Sequence, residues 1–307
     1  MDDETDSDRN PFLLVPAPHD IPVLISVKTI PDIWYYGKHK KTGVINLKKA
    51  IITTIKIAVF FIGWAVLSGV LDIPADNPVV WRFFAELLPF GVMAVFTAVF
   101  LLFEKDEVHI PVRENAVKGF LTGSAAGVVW IGLSVVILIA AHQLEFSGKN
   151  SVSLLWMWII SAVINVLMQE LLIRGYIYQL LKTKYNLPLA VIVITTLFTF
   201  LHGGAFEAGI IPVLNVVTMC LFTTALYESE KTLLAPIAAH ALWNVIGAII
   251  IGGVSLADDY PSLYNMIPAG KEILSGGAYK IEGSIVVLII NILLMILFYM
   301  KYKRRVR

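Results

Sequence analysis

Residues 154–181 read LLWMWIISAVINVLMQELLIRGYIYQLL. As an α-helix at 1.5 Å per residue this stretch reaches about 40 Å, more than the hydrocarbon core of a bilayer at roughly 30 Å. Its only charged side chains are Glu170 and Arg174. They are opposite in sign and four residues apart, so they share one helix face and can neutralise each other away from water. Seven further apolar runs have spanning character, at roughly 50–71, 84–103, 117–142, 187–203, 209–227, 233–254 and 282–300. The expected fold is therefore all-α, a polytopic integral membrane protein of about eight transmembrane helices.

Composition agrees. The 307 residues are 57% hydrophobic and 15% charged, with a mean hydropathy of +0.77. A soluble domain carries about 25% charged residues, and so few here could not cover a water-facing surface. The net charge of +1 provides no domain-wide basic face, which excludes a nucleic-acid binder driven by bulk charge. The single cysteine, Cys220, excludes an intrachain disulfide and a Cys-based zinc site. It sits in an apolar run and is expected to pack.

Lysine and arginine set the orientation. Of the 24, seventeen fall on the segments 1–49, 104–116, 182–186, 228–232 and 301–307, four on the opposite loops, and three within spans. Both termini are accordingly expected in the cytoplasm. The chain divides into a cytoplasmic arm at 1–49, a membrane-embedded part at 50–300 and a basic tail at 301–307. The arm lacks the basic-then-apolar layout of a signal peptide, and the tail has no CaaX box. The 255–281 loop on the outer side has no readable role.

Ionisable groups inside a span cost at least about 2.5–3.5 kcal/mol at its centre and are functional candidates by default. Lys56, Glu86 and Lys118 lie near span ends, within snorkelling reach of the headgroups, and are set aside. His142 lies at the outer end of its span. Three i, i+4 sites remain: Gln169-Glu170-x-x-x-Arg174, Phe198-x-x-x-His202 and His240-x-x-x-Asn244. A packing ion pair, a structural histidine and a pair of interhelical hydrogen bonds would each explain one site alone. Counted from the cytoplasmic boundaries at 1.5 Å per residue, Gln169, His202 and His240 lie about 18, 21 and 10 Å deep. They could converge in a water-filled cavity below the cytoplasmic surface.

In this order, and on these helices, the three sites resemble the motifs of the CPBP membrane proteases, the CAAX protease and bacteriocin-processing (Abi) family, whose members include the Rce1-type CAAX endopeptidases. The likeness covers about 154–247, and the lead-in Leu233-Leu-Ala-Pro-Ile-Ala-Ala-His240 extends it. It implies an endopeptidase that cuts a peptide bond near the membrane by direct attack of an activated water, with no cofactor and no metal. It further implies that His202 assists the base, that His240 and Asn244 stabilise the oxyanion, and that Glu170 and Arg174 form a supporting pair. The implied partners are the lipid bilayer and a membrane-proximal peptide or protein, either prenylated or of the bacteriocin or signal-peptide kind. The implied location is the cell membrane.

One position departs from the family pattern. Gln169 stands where the family has its first glutamate, and an amide orients water without accepting its proton. General-base help is worth about 10²–10⁴-fold. Three readings stay open: Glu170 is the base together with His202, although it points about 100° further round the helix; the chain is a regulator or bacteriocin-immunity protein that binds without cutting; or a glutamate has been exchanged here to trap substrate. Two other classes are weaker. A zinc site would need Glu170, His202 and His240 to meet without an HExxH motif, and a transporter would more often show broken helices in matching halves.

Overall fold

The computed structural model describes residues 47–307 apart from 74, 106 and 258. The expected N-terminal arm lies outside the described residues except for its last three. The chain runs α1 (Leu47–Gly69), α2 (Pro78–Phe103), α3 (Ala116–Ala140), strand β1 (Leu144–Lys149) and α4 (Leu155–Glu170). A π-helical stretch, Leu171–Ile177, joins α4 to α5 (Tyr178–Lys184). There follow α6 (Leu187–Leu201), α7 (Gly204–Ala208), α8 (Ile210–Glu230) and α9 (Leu234–Asn244), which passes into a second π stretch, Val245–Ile250. Strand β2 (Tyr264–Pro268), α10 (Glu272–Ser275), a 3₁₀ segment (Gly277–Gly283) and α11 (Ile285–Val306) complete the chain.

Local chemistry sets several boundaries. Asn77 and Asn186 accept hydrogen bonds from Val79 N and Leu189 N at 3.0 and 2.8 Å, each with a proline in the first turn, and Ser284 accepts from Val286 N at 3.0 Å. These caps use amide donors that the first turn of a helix leaves unpaired. Lys231 ends α8 in the left-handed region at φ 58°.

The protein is an all-α polytopic membrane protein. Among the described residues six helical segments are long and apolar enough to cross a bilayer, and the other two expected spans are shorter apolar helices, Leu187–Leu201 and Leu234–Ile250. At 1.5 Å per residue these measure about 22 and 25 Å. They can be short because they pack inside the bundle. Of the eleven residues of α9, seven are buried, whereas only Thr53 and Phe60 are buried in α1. Outward-facing apolar residues such as Ile55, Val95 and Val136 are more than half exposed, as a lipid-facing surface requires.

The most intimate helix pair has a steric cause. Gly119, Gly123 and Gly127 recur every four residues along one face of α3. A Cβ on Gly123 would penetrate the Ala235 backbone, and one on Gly127 would come within 2.9 Å of Ala239 Cα. Small residues at this spacing let membrane helices approach backbone to backbone, and they press α9, with His240 and Asn244, against α3.

Ion pairs and hydrogen bonds sort the loops into two ends. At one, Lys56 pairs with Glu104, Lys184 with Glu107, Lys182 and Lys231 with Glu228, and Lys301 with Glu230. This end gathers the lysine- and arginine-rich segments. At the other, Arg82 pairs with Asp259, Asn150 donates to Ser262 O, and β1 pairs antiparallel with β2 from Leu144↔Pro268 to Lys149↔Tyr264. The two-stranded ribbon was not expected, and it provides a partner for the 255–281 loop.

Replacing Gly123 by leucine forces α3 and α9 apart, whereas Gly132, with open space around its Cα, tolerates the same change. Thermal unfolding in detergent should show Gly123→Leu destabilised by about 1–3 kcal/mol or more, the range for overpacking, with Gly132→Leu close to the parent.

Candidate active site

A cavity of about 620 Å³ runs from the middle of the bundle to the end opposite the basic loops. Gln169, His202, His240 and Asn244 all line it. The three motifs therefore converge, although each lies on a different helix. The cavity does not open where the depth count placed it. Its walls include Gly203, Ala208, Ser255, Ala257 and Tyr279 from the non-basic end and no residue of 104–116, 182–186 or 228–232. Counting residues from one boundary gives depth but not the direction in which helices splay. Here α6 stops at Leu201, and the chain turns through α7 before α8 begins, which leaves the gap on that side.

Glu170 and Arg174 stand behind the cavity rather than in it, both 0% exposed. Arg174 Nη1 donates to Glu170 Oε2 at 2.6 Å, its Nε to Thr224 Oγ1 at 3.2 Å, and its Nη2 to Cys220 O at 3.0 Å and to the Thr223 hydroxyl. Buried charge persists only when paired and hydrogen-bonded in this way. The second carboxylate oxygen, Glu170 Oε1, faces His240 Nδ1 at 3.0 Å. With both oxygens engaged, Glu170 has no place on the cavity wall and meets a cavity-lining side chain only at the imidazole of His240. Cys220 is buried, as expected, and its backbone carbonyl helps hold Arg174.

The backbone departs from α-helix immediately after both motif positions. The π stretch at 171–177 begins next to Glu170 and contains a break at Gly175, whose ψ is −116°. The stretch at 245–250 begins next to Asn244. Single π turns often mark functional sites because they re-aim side chains without ending the helix.

The histidine hydrogen bonds assign their tautomers. His202 caps the C-terminus of α6, and its backbone N–H bonds to Thr199 O, leaving Phe198 O for the ring Nδ1 at 2.7 Å. A carbonyl only accepts, so Nδ1 carries the proton, and Nε2 of the neutral ring is a free acceptor. That is the physical content of the Phe-x-x-x-His spacing: residue i supplies the backbone carbonyl and residue i+4 the ring. The same reasoning puts a proton on His240 Nδ1, opposite the Glu170 carboxylate. An Nε2–H on His240 then requires the doubly protonated ring, whose charge Glu170 faces.

Two residues outside the motifs complete the site, and the sequence reading misplaced one. Glu86, set aside as a snorkelling end residue, is 4% exposed. Its Oε2 accepts from Asn165 Nδ2 at 2.8 Å, and its Oε1 accepts from Arg82 Nη1 at 3.2 Å and Tyr260 OH at 3.3 Å. Asn165 Oδ1 in turn accepts from Gln169 Nε2 at 2.6 Å. A carboxylate offers acceptors only, so each amide in this chain is oriented in one sense. The chain ends at Gln169 Oε1, a buried acceptor with no partner among the described residues. Glu86 to Arg82 is an i, i+4 pair that a reading of spacing could have found. Asn165, four residues before Gln169, could have been found in the same way.

Among the described residues, no group of three His, Cys, Asp or Glu side chains has a metal-binding arrangement. Removing one partner of a buried ion pair strands the other, at a cost of about 3–5 kcal/mol, while replacing both with apolar residues is often near neutral. Calorimetry in detergent should therefore find Arg174→Leu more destabilised than the double variant Glu170→Leu/Arg174→Leu. If the double variant is the less stable protein, the pair and its threonine cage contribute more than mutual neutralisation.

No curated protein sequence matches the chain. Residues 151–246 match the family model described as type II CAAX prenyl endopeptidase Rce1-like, a segment that holds all three motifs. Through that third of its length, this multi-pass membrane protein is similar to the Rce1-like CAAX proteases.

Proposed function

We propose that the protein is an intramembrane endopeptidase of the cell membrane that hydrolyses a peptide bond close to the bilayer with an activated water. The supporting observation is the convergence of Gln169, His202, His240 and Asn244 on one cavity. In this reading a water donates one hydrogen to Gln169 Oε1 and the other to His202 Nε2. Its oxygen attacks the scissile carbonyl carbon as His202 takes the proton, which then passes to the departing amine. Asn244 Nδ2 and a protonated His240 Nε2 donate to the oxyanion. Glu170 and Arg174 hold the His240 ring and do not touch substrate.

A second reading, a membrane regulator that binds peptide without cutting it, draws on one observation. The amide of Gln169 is held by Asn165 at 2.6 Å, an arrangement that presents an acceptor but no proton sink stronger than His202. The charge distribution bears on both readings. If the basic loops face the cytoplasm, the cavity opens on the other side of the membrane. That favours a peptide presented from the outer face over a prenylated protein presented from the cytoplasm.

Two measurements test this. In proteoliposomes, Gln169→Glu should raise cleavage of a peptide library by about 10²–10⁴-fold, and adding His202→Ala should abolish it. Absence of cleavage by every variant refutes the protease in favour of the regulator. For topology, in a Cys220→Ala background a cysteine at Ala257 should react with a membrane-impermeant maleimide in intact cells. One at Arg307 should react only after permeabilisation, and the reverse pattern would invert the assignment.

A further inference from the structure

The carboxylates of the bundle fall into two groups. Glu86, Glu104, Glu170, Glu228 and Glu230 are all buried, and each is matched to a lysine or arginine within 4 Å. The cavity holds two others, Glu207 and Glu282, and among the described residues its lining contains no lysine or arginine. Among the described residues neither forms an ion pair. Glu282 Oε2 accepts from the backbone N–H of Ser255 at 2.9 Å. Lys280 lies within electrostatic reach of Glu282 without pairing with it, its Nζ donating to Val254 O at 3.4 Å. Glu207 lies at the mouth on α7, where Tyr279 OH donates to its backbone carbonyl at 3.2 Å, joining the two segments that carry the carboxylates. Deeper in the cavity, Asn244 is 4% exposed with no side-chain hydrogen bond among the described residues, and His240 is 2% exposed with Nε2 unpartnered.

Charge inside low-dielectric walls is poorly screened and attracts the opposite sign more strongly than the same charge in water. A cavity with polar groups available at its floor and two carboxylates toward its mouth is suited to a peptide backbone flanked by a cation. It repels a segment that ends in a free carboxylate. We infer that the cavity takes a peptide segment bearing a lysine or arginine side chain, held by Glu282 and Glu207, close to the bond that meets His202 and His240. The inference builds on the endopeptidase reading for the bond that is cut, but the charge preference concerns binding alone.

The test uses the full chain in nanodiscs and fluorescein-labelled peptides of one apolar sequence, amidated at the C-terminus, with lysine, norleucine or glutamate at one position. Fluorescence anisotropy reads binding whether or not anything is cut. The lysine peptide should bind at least ten-fold more tightly than the norleucine peptide, and the glutamate peptide most weakly. A free C-terminal carboxylate on the norleucine peptide should weaken it further. In Glu207→Gln/Glu282→Gln, an isosteric change checked by thermal unfolding, the lysine-to-norleucine ratio should fall to about one. Equal binding of lysine and norleucine peptides by the parent, or a ratio that survives in the double variant, overturns the inference. The same peptides incubated with Gln169→Glu separate the two proposals. Lysine-selective binding without cleavage sinks the endopeptidase and leaves the charge preference standing, whereas cleavage without selectivity does the opposite.

Discussion

The arrangement depends on one buried ion pair. Glu170 and Arg174 sit one helical turn apart in the middle of the bundle, sealed from both water and the cavity. Their mutual neutralisation is what permits charge at that depth. Arg174, in the π stretch that continues α4, ties it to α8 through Thr223, Thr224 and the carbonyl of Cys220, and Glu170 ties α4 to α9 through His240. Three helices are thereby fixed by a pair that does not line the cavity it shapes. The glycines of α3 complete the constraint from the far side by bringing the α9 backbone close.

Much of this was legible because it is local. A span announces itself by some twenty apolar residues, and the i, i+4 spacing of Glu170 with Arg174, Phe198 with His202 and His240 with Asn244 puts each pair on one face before any fold is known. The eight apolar helices and the shared cavity followed. What could not be read depends on partners distant in sequence. The burial of Glu86 rests on Asn165 and Tyr260, 79 and 174 residues away. The pairing of β1 with β2 joins segments that carry no strong strand signal of their own.

The direction of the cavity belongs to the same class. Gln169 lies near the middle of Leu155–Lys184, so its depth is nearly the same from either surface and says little about access. Access is set by the early end of α6 and the turn through α7, a tertiary feature. The π stretches after Glu170 and Asn244 are likewise invisible to a periodicity of 3.6, since they spend one extra residue to change the facing of everything that follows.

The amide chain from Glu86 to Gln169 carries a consequence of its own. Asparagine and glutamine are each donor at one end and acceptor at the other, so a row of them behaves like a line of arrows, and whatever anchors the first arrow decides which way the last one points. Glu86, in the N-terminal half of α2, is that anchor. The chemical sign of the cavity floor is thus written two side chains away from where a peptide would meet it. A lineage could rewrite it there, exchanging an acceptor for a donor, without altering any residue that a motif search inspects.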